Sequence, residues 1–595
     1  MEKWFVAAKR ADFQAIAEKF GIDPVTARLI RNRNVIGDES IEEYLKGGLE
    51  RLHPPELLNG CAEAAKLLQG KIRSGKKIRI IGDYDIDGVN ATYILYCGLK
   101  RLGADVDYEI PDRMKDGYGL NINLIDLACR EGIDTILTCD NGIAAMDKVF
   151  HARKLGLTVI VTDHHEPLFR DSQRIQDANS GDEKREWILP PADVLINPKL
   201  PDCTYPYKKL CGAGVAWKLI QVFYKMSGID PSEALEFLPF AAIATVGDVM
   251  DLDGENRIIV KHGLEALPHT KNPGLRALIR AAGLEGVKLT AYHIGFLIGP
   301  CINASGRLDT AKRSLKLLLE EEPEMAAQLA EELKSLNDER KDLTAKGVEQ
   351  AVHLIETTSL RQDRVLVVYL PNCHESVAGI IAGRIRERYY RPVFVLTDGQ
   401  DCVKGSGRSI EAYSMFEEMV KCQDLFLKFG GHPMAAGLSL EKQKLDEFRR
   451  RINENCVLTQ EDLCEKIMID VPMPIHYITE GLIEELHLLE PYGKGNAKPL
   501  FAEKDLRLQK AMVLGKNRNV LKFLVYNQTG TAMEAMYFGD IARLQGYLAD
   551  KYGSVQVERL FQGRENHITL SVTYYPEINE FRDRRTKQIV IQNYC

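Results

Sequence analysis

The sequence predicts an α/β protein with two α/β domains joined by a long helix and followed by a small β-barrel. Residues 78–250 alternate short β-rich runs with helical segments, which is the pattern of a parallel sheet covered by helices. A second, shorter series of the same kind spans residues 364–455. From residue 465 onward, short strands around Gly-containing turns indicate a barrel or sandwich. A chain of 595 residues has room for about three to five domains.

The first domain begins with an apolar run at 78–81 that ends at Gly82. A helical pattern follows at 90–102. Further strands are predicted at 106–110, 135–138 and 157–161, and the apolar stretch 241–246 is predicted as another β-like run. Residues 166–190 are rich in charge and lack apolar periodicity, so we expect a solvated surface loop there.

A long charged segment at 324–356 separates the two α/β parts. Leucines recur in it at near-helical spacing and Pro323 suits a helix start, so a connecting helix is predicted. The second α/β part has predicted strands at 365–368 and 393–396 around a helix at 377–389. The last part has predicted strands at 520–526, 531–538 and 567–575.

Composition excludes several classes of protein. Hydrophobic residues make up 45% and charged residues 27%, which are ordinary globular values. No apolar run approaches the ~18 residues that span a membrane, and no apolar signal core is visible, so we expect a cytoplasmic protein without membrane contact. The 13 Cys include no C-x-x-C pair, which favours free thiols. A net charge of −7 excludes a uniform basic coat, although residues 504–522 carry six basic side chains against one acid.

Carboxylates and two imidazoles follow the predicted strands of the first domain. In chain order, these side chains are Asp83, Asp85, Asp87, Asp140, Asp163, His164, His165 and Asp248. Because the carboxyl ends of parallel strands meet at one edge of a sheet, we expect these groups to converge. Each Asp alone is equally a helix cap, and either His alone is equally an interior residue. Their coincidence after four β-like runs nevertheless predicts a shared metal site.

The donor types indicate which ions and which chemistry to expect. Carboxylate oxygens suit hard divalent cations, and the mixture of Asp and His favours Mn²⁺ somewhat over Mg²⁺. A set of this size can hold two ions, which lie ~3.5–4 Å apart in hydrolases that act on phosphate esters. The sequence therefore predicts hydrolysis of a phosphate ester.

Several strings resemble the DHH phosphoesterase superfamily. Asp-Tyr-Asp-x-Asp-Gly at 83–88 and Asp-His-His at 163–165 are similar to its catalytic motifs. The strings at 404–409 and 430–437 are similar to its associated substrate-binding domain. The string at 489–496 resembles the segment that leads into the OB-fold of the superfamily's single-strand-specific exonucleases. The likeness spans residues 45–580 in the right order.

The resemblance implies an exonuclease of DNA recombination and repair that releases 5′-mononucleotides from the 5′ end of single-stranded DNA. It also implies two Mn²⁺ or Mg²⁺ ions, held by Asp85, Asp87, Asp140, His164 and Asp248. His165 would lie against the scissile phosphate, and Asp83 and Asp163 would orient ligands. Some relatives place a metal-binding His where this chain has Ile81, so one ion is expected to be held by fewer protein groups.

The resemblance further implies residues that contact the strand. They are Arg113, Tyr118, Asn303, Arg307, His374, Ser406, Arg408 and His432, together with Lys516 and Arg518 in the barrel. Arg113 offers a fork for phosphate and Tyr118 a ring for stacking, while basic and aromatic residues in the barrel suit strand tracking. A surface ion pair for Arg113, packing for His374 and an exposed charged hairpin in the barrel stay open as alternatives. Many relatives carry Arg where this chain has Cys301, so one charge is expected to be missing there.

The resemblance implies five segments: an N-terminal helical lead (1–45), a DHH catalytic domain (46–320), the connecting helix (321–357), a DHH-associated substrate-binding domain (358–455) and an OB-fold nucleic-acid-binding domain (456–595). Implied partners are single-stranded DNA, a RecQ-type helicase and a single-strand-binding protein. The alternatives are a DHH phosphodiesterase acting on short RNA oligonucleotides or cyclic dinucleotides, a non-catalytic DNA-binding relative, and an inorganic pyrophosphatase. The barrel favours a long polymer substrate.

Overall fold

The computed structural model describes residues 2–113, 116–117, 119–171, 185–581 and 584–595. These residues form two compact units. One unit is Leu49–Cys464, and the other combines Met1–Gly48 with Glu465–Cys595. The predicted α/β class is confirmed in the first unit and the predicted barrel in the second.

A five-stranded parallel sheet forms the centre of the first unit. Its strands, in spatial order, are Val106–Glu109, Ile78–Ile81, Thr135–Cys139, Thr158–Thr162 and Val194–Ile196. Ile80, Leu137 and Ile160 pack into one hydrophobic cluster, whereas Ile136 and Val159 pack into a cluster on the opposite face. Burial on both faces explains why the inner strands are mostly apolar, whereas the edge strand Val106–Glu109 is largely half-buried and carries two acids. The four strands predicted at 78–81, 106–110, 135–138 and 157–161 are confirmed.

Helices cover both faces of this sheet, and further helices pack against those. The helices of this part are Cys61–Arg73, Ile86–Arg101, Ile122–Arg130, Met146–Lys154, Gly212–Met226, Leu238–Gly247, Gly254–Ala266, Pro273–Ala281, Ala291–His293, Gly299–Leu308 and Lys312–Leu319, with a π-helical turn at Ile294–Ile298.

Two predictions about this domain were wrong. The run 241–246 is part of the helix Leu238–Gly247, and Asp248 is that helix's C-cap rather than the end of a strand. Residues 241–245 are all buried, so the run has no exposed polar face by which a helix differs from a strand. Part of the predicted loop 166–190 is an antiparallel hairpin of Leu168–Asp171 and Arg185–Ile188, and residues 172–184 lie outside the described residues.

A single helix, Pro323–Thr357, connects the two α/β parts of this unit, as predicted. The second part is a five-stranded mixed sheet in the order Phe426–His432, Ala435–Leu440, Val403–Arg408, Val393–Asp398 and Leu366–Tyr369. Its helices are Glu375–Tyr389, Met415–Val420 and Leu445–Glu454. The predicted strands at 365–368 and 393–396 and the predicted helix between them are confirmed.

The second unit is built on a closed barrel. Its strands are Phe501–Leu514, Val520–Tyr526, Ala532–Tyr537, Arg584–Tyr594 and Thr569–Phe581, and the last pairs with the first to close the sheet, while Val471–Pro472 extends it. The accompanying helices are Phe13–Phe20, Pro24–Asn32, Asp38–Lys46, Glu480–Leu486, Ile541–Tyr552 and Ser554–Phe561. Residues 1–45, predicted as a helical lead, open with a strand, Glu2–Val6, that pairs in parallel with Glu465–Ile469.

A buried ion pair joins two helices of the first domain. The Nζ atom of Lys218 donates to Oε1 of Glu255 at 2.9 Å and to the carbonyl of His53 at 2.9 Å. Glu255 also accepts from the Tyr205 hydroxyl at 2.6 Å and from the His53 backbone N–H at 2.7 Å. The side chains of Lys218 and Glu255 are 1% and 2% exposed, so the contact between their two charges is shielded from water.

No helix among the described residues combines the length and the apolar character that a membrane span requires. All 13 Cys lie among the described residues, and each is a free thiol there.

Candidate metal centre

The loop after strand Ile78–Ile81 delivers the first three carboxylates. Asp85 is the N-cap of helix Ile86–Arg101, and its Oδ1 accepts from the backbone N–H groups of Asp87 at 3.0 Å and Gly88 at 3.1 Å. Capping fixes the orientation of this carboxylate, so the helix-cap interpretation and the metal-site interpretation describe the same side chain. Asp83 precedes it and is fully buried.

Asp87 is held by the start of a second helix. Its carboxylate accepts from the backbone N–H of Gly212 at 2.6 Å and of Ala213 at 2.7 Å, in the first turn of Gly212–Met226. The partial positive charge of a helix N-terminus stabilises an anion there. A side chain at position 212 would lie 2.6 Å from Cβ of Asp140, so only Gly fits between the two carboxylates.

Asp140 follows strand Thr135–Cys139 in a left-handed backbone conformation, with φ 61°. The neighbouring Asn141 fixes this turn. Its Nδ2 donates to the carbonyls of Ile81 at 3.1 Å and Cys139 at 2.8 Å, and its Oδ1 accepts from the N–H of Leu120 at 3.1 Å. Asn141 thus ties two strand ends together, and the sequence offered no signal for this beyond its place after Asp140.

His164 lies at the centre of the group. Its Nε2 is 3.0 Å from Asp140 Oδ1, 3.5 Å from Asp87 Oδ2 and 3.7 Å from Asp248 Oδ2. His165 lies beside it, with Nδ1 2.7 Å from Asp163 Oδ1 and 3.9 Å from Asp140 Oδ1. The predicted acids and imidazoles therefore converge at one edge of the sheet.

Three overlapping groups of side chains have ligand atoms within 4.8 Å of one another. They are Asp140, His164 and His165; Asp87, His164 and Asp248; and Asp83, Asp85 and Asp140. The shared members join the three groups into one continuous cluster. Together the groups supply enough ligand atoms for more than one cation. Asp163 is in none of them: its carboxylate accepts from the backbone N–H groups of Ile143 and His164 and contacts the His165 ring.

The electrostatics of the cluster favour bound cations. Burial, followed by the charge of neighbouring carboxylates, raises the pKa of Asp83 and of Asp140 well above the ordinary range, and raises the pKa of Asp85 as well. Oδ2 of Asp83 is buried and has no hydrogen-bond partner among the described residues, and Asp83 lies in one group with Asp85 and Asp140. Buried carboxylate oxygens grouped in this way fit hard divalent cations.

The two histidines differ in charge. Burial lowers the pKa of His164 and favours its neutral, ligating form. Burial also acts to lower the pKa of His165, but the hydrogen bond and charge of Asp163 outweigh it and raise that pKa to about 9. Burial alone would raise the pKa of Asp163, yet the contact with His165 and the N–H of Ile143 leave it lowered. Asp163 and His165 thus form an ion pair beside the carboxylates.

Arginines from four separate segments lie near one another in this unit. Burial, followed by the charges of Arg113, Arg340 and Arg408, lowers the pKa of Arg307 to about 10. We call these four residues the arginine cluster. Nη1 of Arg307 donates to the carbonyl of Ser376 at 2.9 Å and so reaches the second α/β part. Arg340, on the connecting helix, was not among the residues predicted to contact a substrate.

Three of the four predicted substrate residues of the second α/β part lie at one helix, Glu375–Tyr389. A Cβ at Gly379 in this helix would lie 2.8 Å from Nη2 of Arg408 and 3.0 Å from Oγ of Ser406, so both side chains lie against it. His374 caps the helix, with Nδ1 2.7 Å from Oγ of Ser376. His432 ends the edge strand Phe426–His432 and is exposed.

The remaining residues that were predicted to contact the substrate do not lie at this helix or fall outside the described residues. Arg113 lies over the ring of Tyr84, with Cζ 4.9 Å from the ring centroid. Oδ1 of Asn303 accepts from the backbone N–H of Ile86 at 2.9 Å, which supports the loop that bears the carboxylates. Tyr118 lies outside the described residues. Lys516 and Arg518 are exposed in the turn between two barrel strands of the other unit.

The two departures from the family pattern are buried. Ile81 is fully buried in its strand. Cys301 is also buried. Its Sγ donates to the carbonyl of Leu297 at 3.2 Å and accepts from Nδ2 of Asn337 at 3.4 Å. Cys301 therefore packs against the connecting helix.

Family models match three parts of the chain. The DHH family N-terminal domain matches residues 77–245, the DHHA1 domain matches residues 362–457, and the RecJ OB domain matches residues 469–593.

Curated proteins named "Single-stranded-DNA-specific exonuclease RecJ" are similar along nearly the whole chain. The Bacillus subtilis protein is 34% identical over 98% of this chain and 69% of its own length. The Escherichia coli protein is 34% identical over 96% of each chain. The crystal structure of Thermus thermophilus RecJ in complex with Mn²⁺ is 28% identical, with a TM-score of 0.80 over 100% of this chain and 79% of that one. The chain therefore belongs to the RecJ family.

Proposed function

We propose that this protein is a metal-dependent exonuclease that hydrolyses single-stranded DNA from the 5′ end to 5′-mononucleotides, in DNA recombination and repair. The convergence of the predicted carboxylates and imidazoles on one sheet edge carries the proposal, since phosphodiester hydrolysis uses such a site. The names of its relatives and the closed barrel in the second unit support the choice of single-stranded DNA.

Two Mn²⁺ or Mg²⁺ ions would be held by Asp85, Asp87, Asp140, His164 and Asp248. Such ions supply Lewis-acid stabilisation of the negative charge that develops at the scissile phosphate. Mn²⁺ and Mg²⁺ complexes of the Thermus thermophilus relative have been solved, which supports either ion here. Asp83 completes the group at the end of the first strand and would orient the neighbouring ligands.

His165 would contact the scissile phosphate. Its ring is about half exposed, and Asp163 keeps it protonated through the short Nδ1 contact. A positively charged imidazole can donate a hydrogen bond to a phosphate oxygen and stabilise the extra charge of the transition state. Asp163 acts through His165 by fixing the orientation and the charge of the ring.

Phosphates of the strand would bind along the arginine cluster. Arg113 and Arg307 come from the first α/β part, and Arg408 lies with Ser406 and His374 around the helix Glu375–Tyr389, where we place the 5′ end. Guanidinium groups that repel one another are strongly stabilised by a bound anion, because its negative charge offsets their mutual repulsion. Asn303 would act by holding the backbone of Ile86, and His432 and Tyr118 would line the strand's path.

Activity on defined substrates tests the proposal. With Mn²⁺, the purified protein should shorten a 5′-phosphorylated single-stranded 30-mer and release 5′-mononucleotides, whereas a blunt duplex of the same sequence should resist. Product lengths are read on denaturing gels with the label at the 3′ end. Rapid cleavage of a dinucleotide or of a short RNA with an intact 30-mer would contradict the proposal and favour the phosphodiesterase alternative.

The barrel turn should contribute to binding through charge. Lys516→Glu combined with Arg518→Glu should weaken binding of a long strand most at low salt, and should reduce the slope of log affinity against log salt by about 1.4, as expected for two lost phosphate contacts. Fluorescence anisotropy with EDTA measures this without cleavage. Lys466→Glu, at an exposed position of the same unit, is the matched control. An unchanged slope in the double variant would show that the barrel turn is not part of the binding surface.

The cellular setting follows from the same proposal. We place the protein in the cytoplasm, where its 13 free thiols stay reduced and where single-stranded DNA is found. A RecQ-type helicase and a single-strand-binding protein are the proposed partners, because an enzyme of this kind needs a strand separated from its complement.

A further inference from the structure

Two large aromatic rings lie exposed on a helical stretch that contacts the metal-binding loops. Tyr292 is 62% exposed and Phe296 is 58% exposed, yet their ring centroids are only 4.8 Å apart with an interplanar angle of 27°, so the rings stack on each other. They are four residues apart on one helical stretch and form one face. We call them the aromatic pair. The pair Tyr93 and Phe240, in contrast, packs into the hydrophobic core, with Phe240 buried and Tyr93 partly buried.

The helical stretch that carries the pair runs alongside the metal-binding loops. A Cβ at Gly295 would lie 3.8 Å from Cγ1 of Val246, two residues before Asp248. Further along, a Cβ at Gly299 would lie 2.9 Å from Cδ1 of Ile86, which stands between Asp85 and Asp87. The π-helical turn Ile294–Ile298 therefore lies at the segments that supply the carboxylates. Such turns occur frequently at functional sites.

The order of features along this helical stretch indicates which part of a bound DNA strand would lie nearest the aromatic pair. The aromatic pair is at its N-terminal end, Gly299 and Asn303 contact Ile86 in its middle, and Arg307 of the arginine cluster is at its C-terminal end. Phe296 and Arg307 are separated by about 16 Å at the rise of an α-helix. A strand with its 5′ phosphates among the arginines and its scissile bond at the carboxylates would continue toward the rings.

We propose that the aromatic pair is a stacking platform for the bases of single-stranded DNA on the 3′ side of the scissile bond. This inference rests on the proposed function and deepens it, because it assigns a binding surface to the part of the strand that has not yet been cut. Stacking on a ring face accepts every base, which suits an enzyme that removes nucleotides regardless of sequence. The position of the pair beside the catalytic loops favours DNA over a protein partner as the occupant.

Removing both rings should weaken the use of long strands and spare short ones. For Tyr292→Ala combined with Phe296→Ala, we expect KM for a 5′-phosphorylated dT 30-mer to rise about tenfold to a hundredfold. The value of kcat/KM for a 5′-phosphorylated dT dinucleotide should stay within twofold, because a dinucleotide ends before it reaches the rings. Tyr292→Phe combined with Phe296→Tyr keeps both ring faces and should restore the wild-type KM.

Phe150→Ala is the matched control, because Phe150 is 50% exposed on helix Met146–Lys154 of the same domain. It should leave both substrates unaffected. An equal rise of KM in the control, or an unchanged KM in the double alanine variant, would overturn the proposal and leave the rings as a surface for a protein partner.

A binding measurement keeps the test independent of catalysis. In EDTA, the emission of Tyr292→Trp should be quenched when the dT 30-mer is added, relative to the same titration of the unaltered protein. Quenching without any nuclease activity would support the platform while rejecting the exonuclease. Activity without quenching would support the exonuclease while rejecting the platform.

Discussion

Replacing Asp140 by Asn is expected to lower the turnover of a single-stranded 30-mer at least about 1,000-fold, a loss of ~4 kcal/mol in transition-state stabilisation. Asp140 belongs to two of the three ligand groups and is 3.0 Å from His164, so its loss removes a carboxylate ligand from both groups. Asn has nearly the same shape and tolerates the left-handed backbone at this position, so the fold should persist. The measurement is kcat with Mn²⁺ on the 3′-labelled strand.

The same substitution should raise the thermal stability of the protein in EDTA. Asp140 is buried among other carboxylates, and its folded-state pKa is raised well above the unfolded value. A carboxyl group whose folded-state pKa is raised opposes folding at every pH above its unfolded pKa, which includes neutral pH, and Asn removes this penalty because it does not ionise. Tm in EDTA should therefore increase, whereas the stabilisation by added Mn²⁺ should be smaller than in the wild type.

Asp126→Asn is the control for both measurements. Asp126 pairs with His151 at 2.7 Å on the surface of the same domain, so its loss should change neither activity nor the response to Mn²⁺. Activity of Asp140→Asn within tenfold of the wild type would refute the metal assignment. A lower Tm of Asp140→Asn in EDTA would show that Asp140 does not destabilise the metal-free protein by charge repulsion.

The sequence was sufficient to predict the parallel sheet and the position of most acids, for one physical reason. Strands buried on both faces must be continuous apolar runs, so Ile78–Ile81 and Thr135–Cys139 stand out, and the polar residues that follow them must lie at one edge of the sheet. Asp248 reaches the same place from the end of a helix, Leu238–Gly247. Its convergence was predicted correctly, although the element that delivers it was not.

Other parts of the site carry no local signal. Asp87 is held by the backbone N–H groups of Gly212 and Ala213, and backbone donors leave no mark in the sequence. Arg340 joins the arginine cluster only because the connecting helix packs beside Arg307. The strand Glu2–Val6 pairs with Glu465–Ile469 across almost the whole chain. Such contacts depend on tertiary packing between segments that are distant in sequence.

Glu255→Ala is expected to reduce the free energy of unfolding of the first unit by about 3–5 kcal/mol. The substitution leaves the buried ammonium of Lys218 without its counter-charge, and it also removes the acceptor for the Tyr205 hydroxyl and the His53 N–H. Denaturant unfolding followed by the emission of Trp217, a buried neighbour of Lys218, measures the effect near the site of change. Glu56→Ala, which breaks an exposed pair with Lys225, should cost no more than about 1 kcal/mol.

A double variant separates charge from packing as the source of this loss. In Lys218→Met combined with Glu255→Gln, no charge is left buried, and the Gln oxygen can still accept from Tyr205 and His53. If the uncompensated charge dominates, the double variant should recover at least half of the stability that Glu255→Ala loses. Equal losses in both variants would mean that the ionic contact itself holds the helices together.

The helix that carries Lys218 begins at Gly212, whose backbone N–H donates to the Asp87 carboxylate. A variant that loosens this helix should therefore also bind Mn²⁺ more weakly, which calorimetric titration measures.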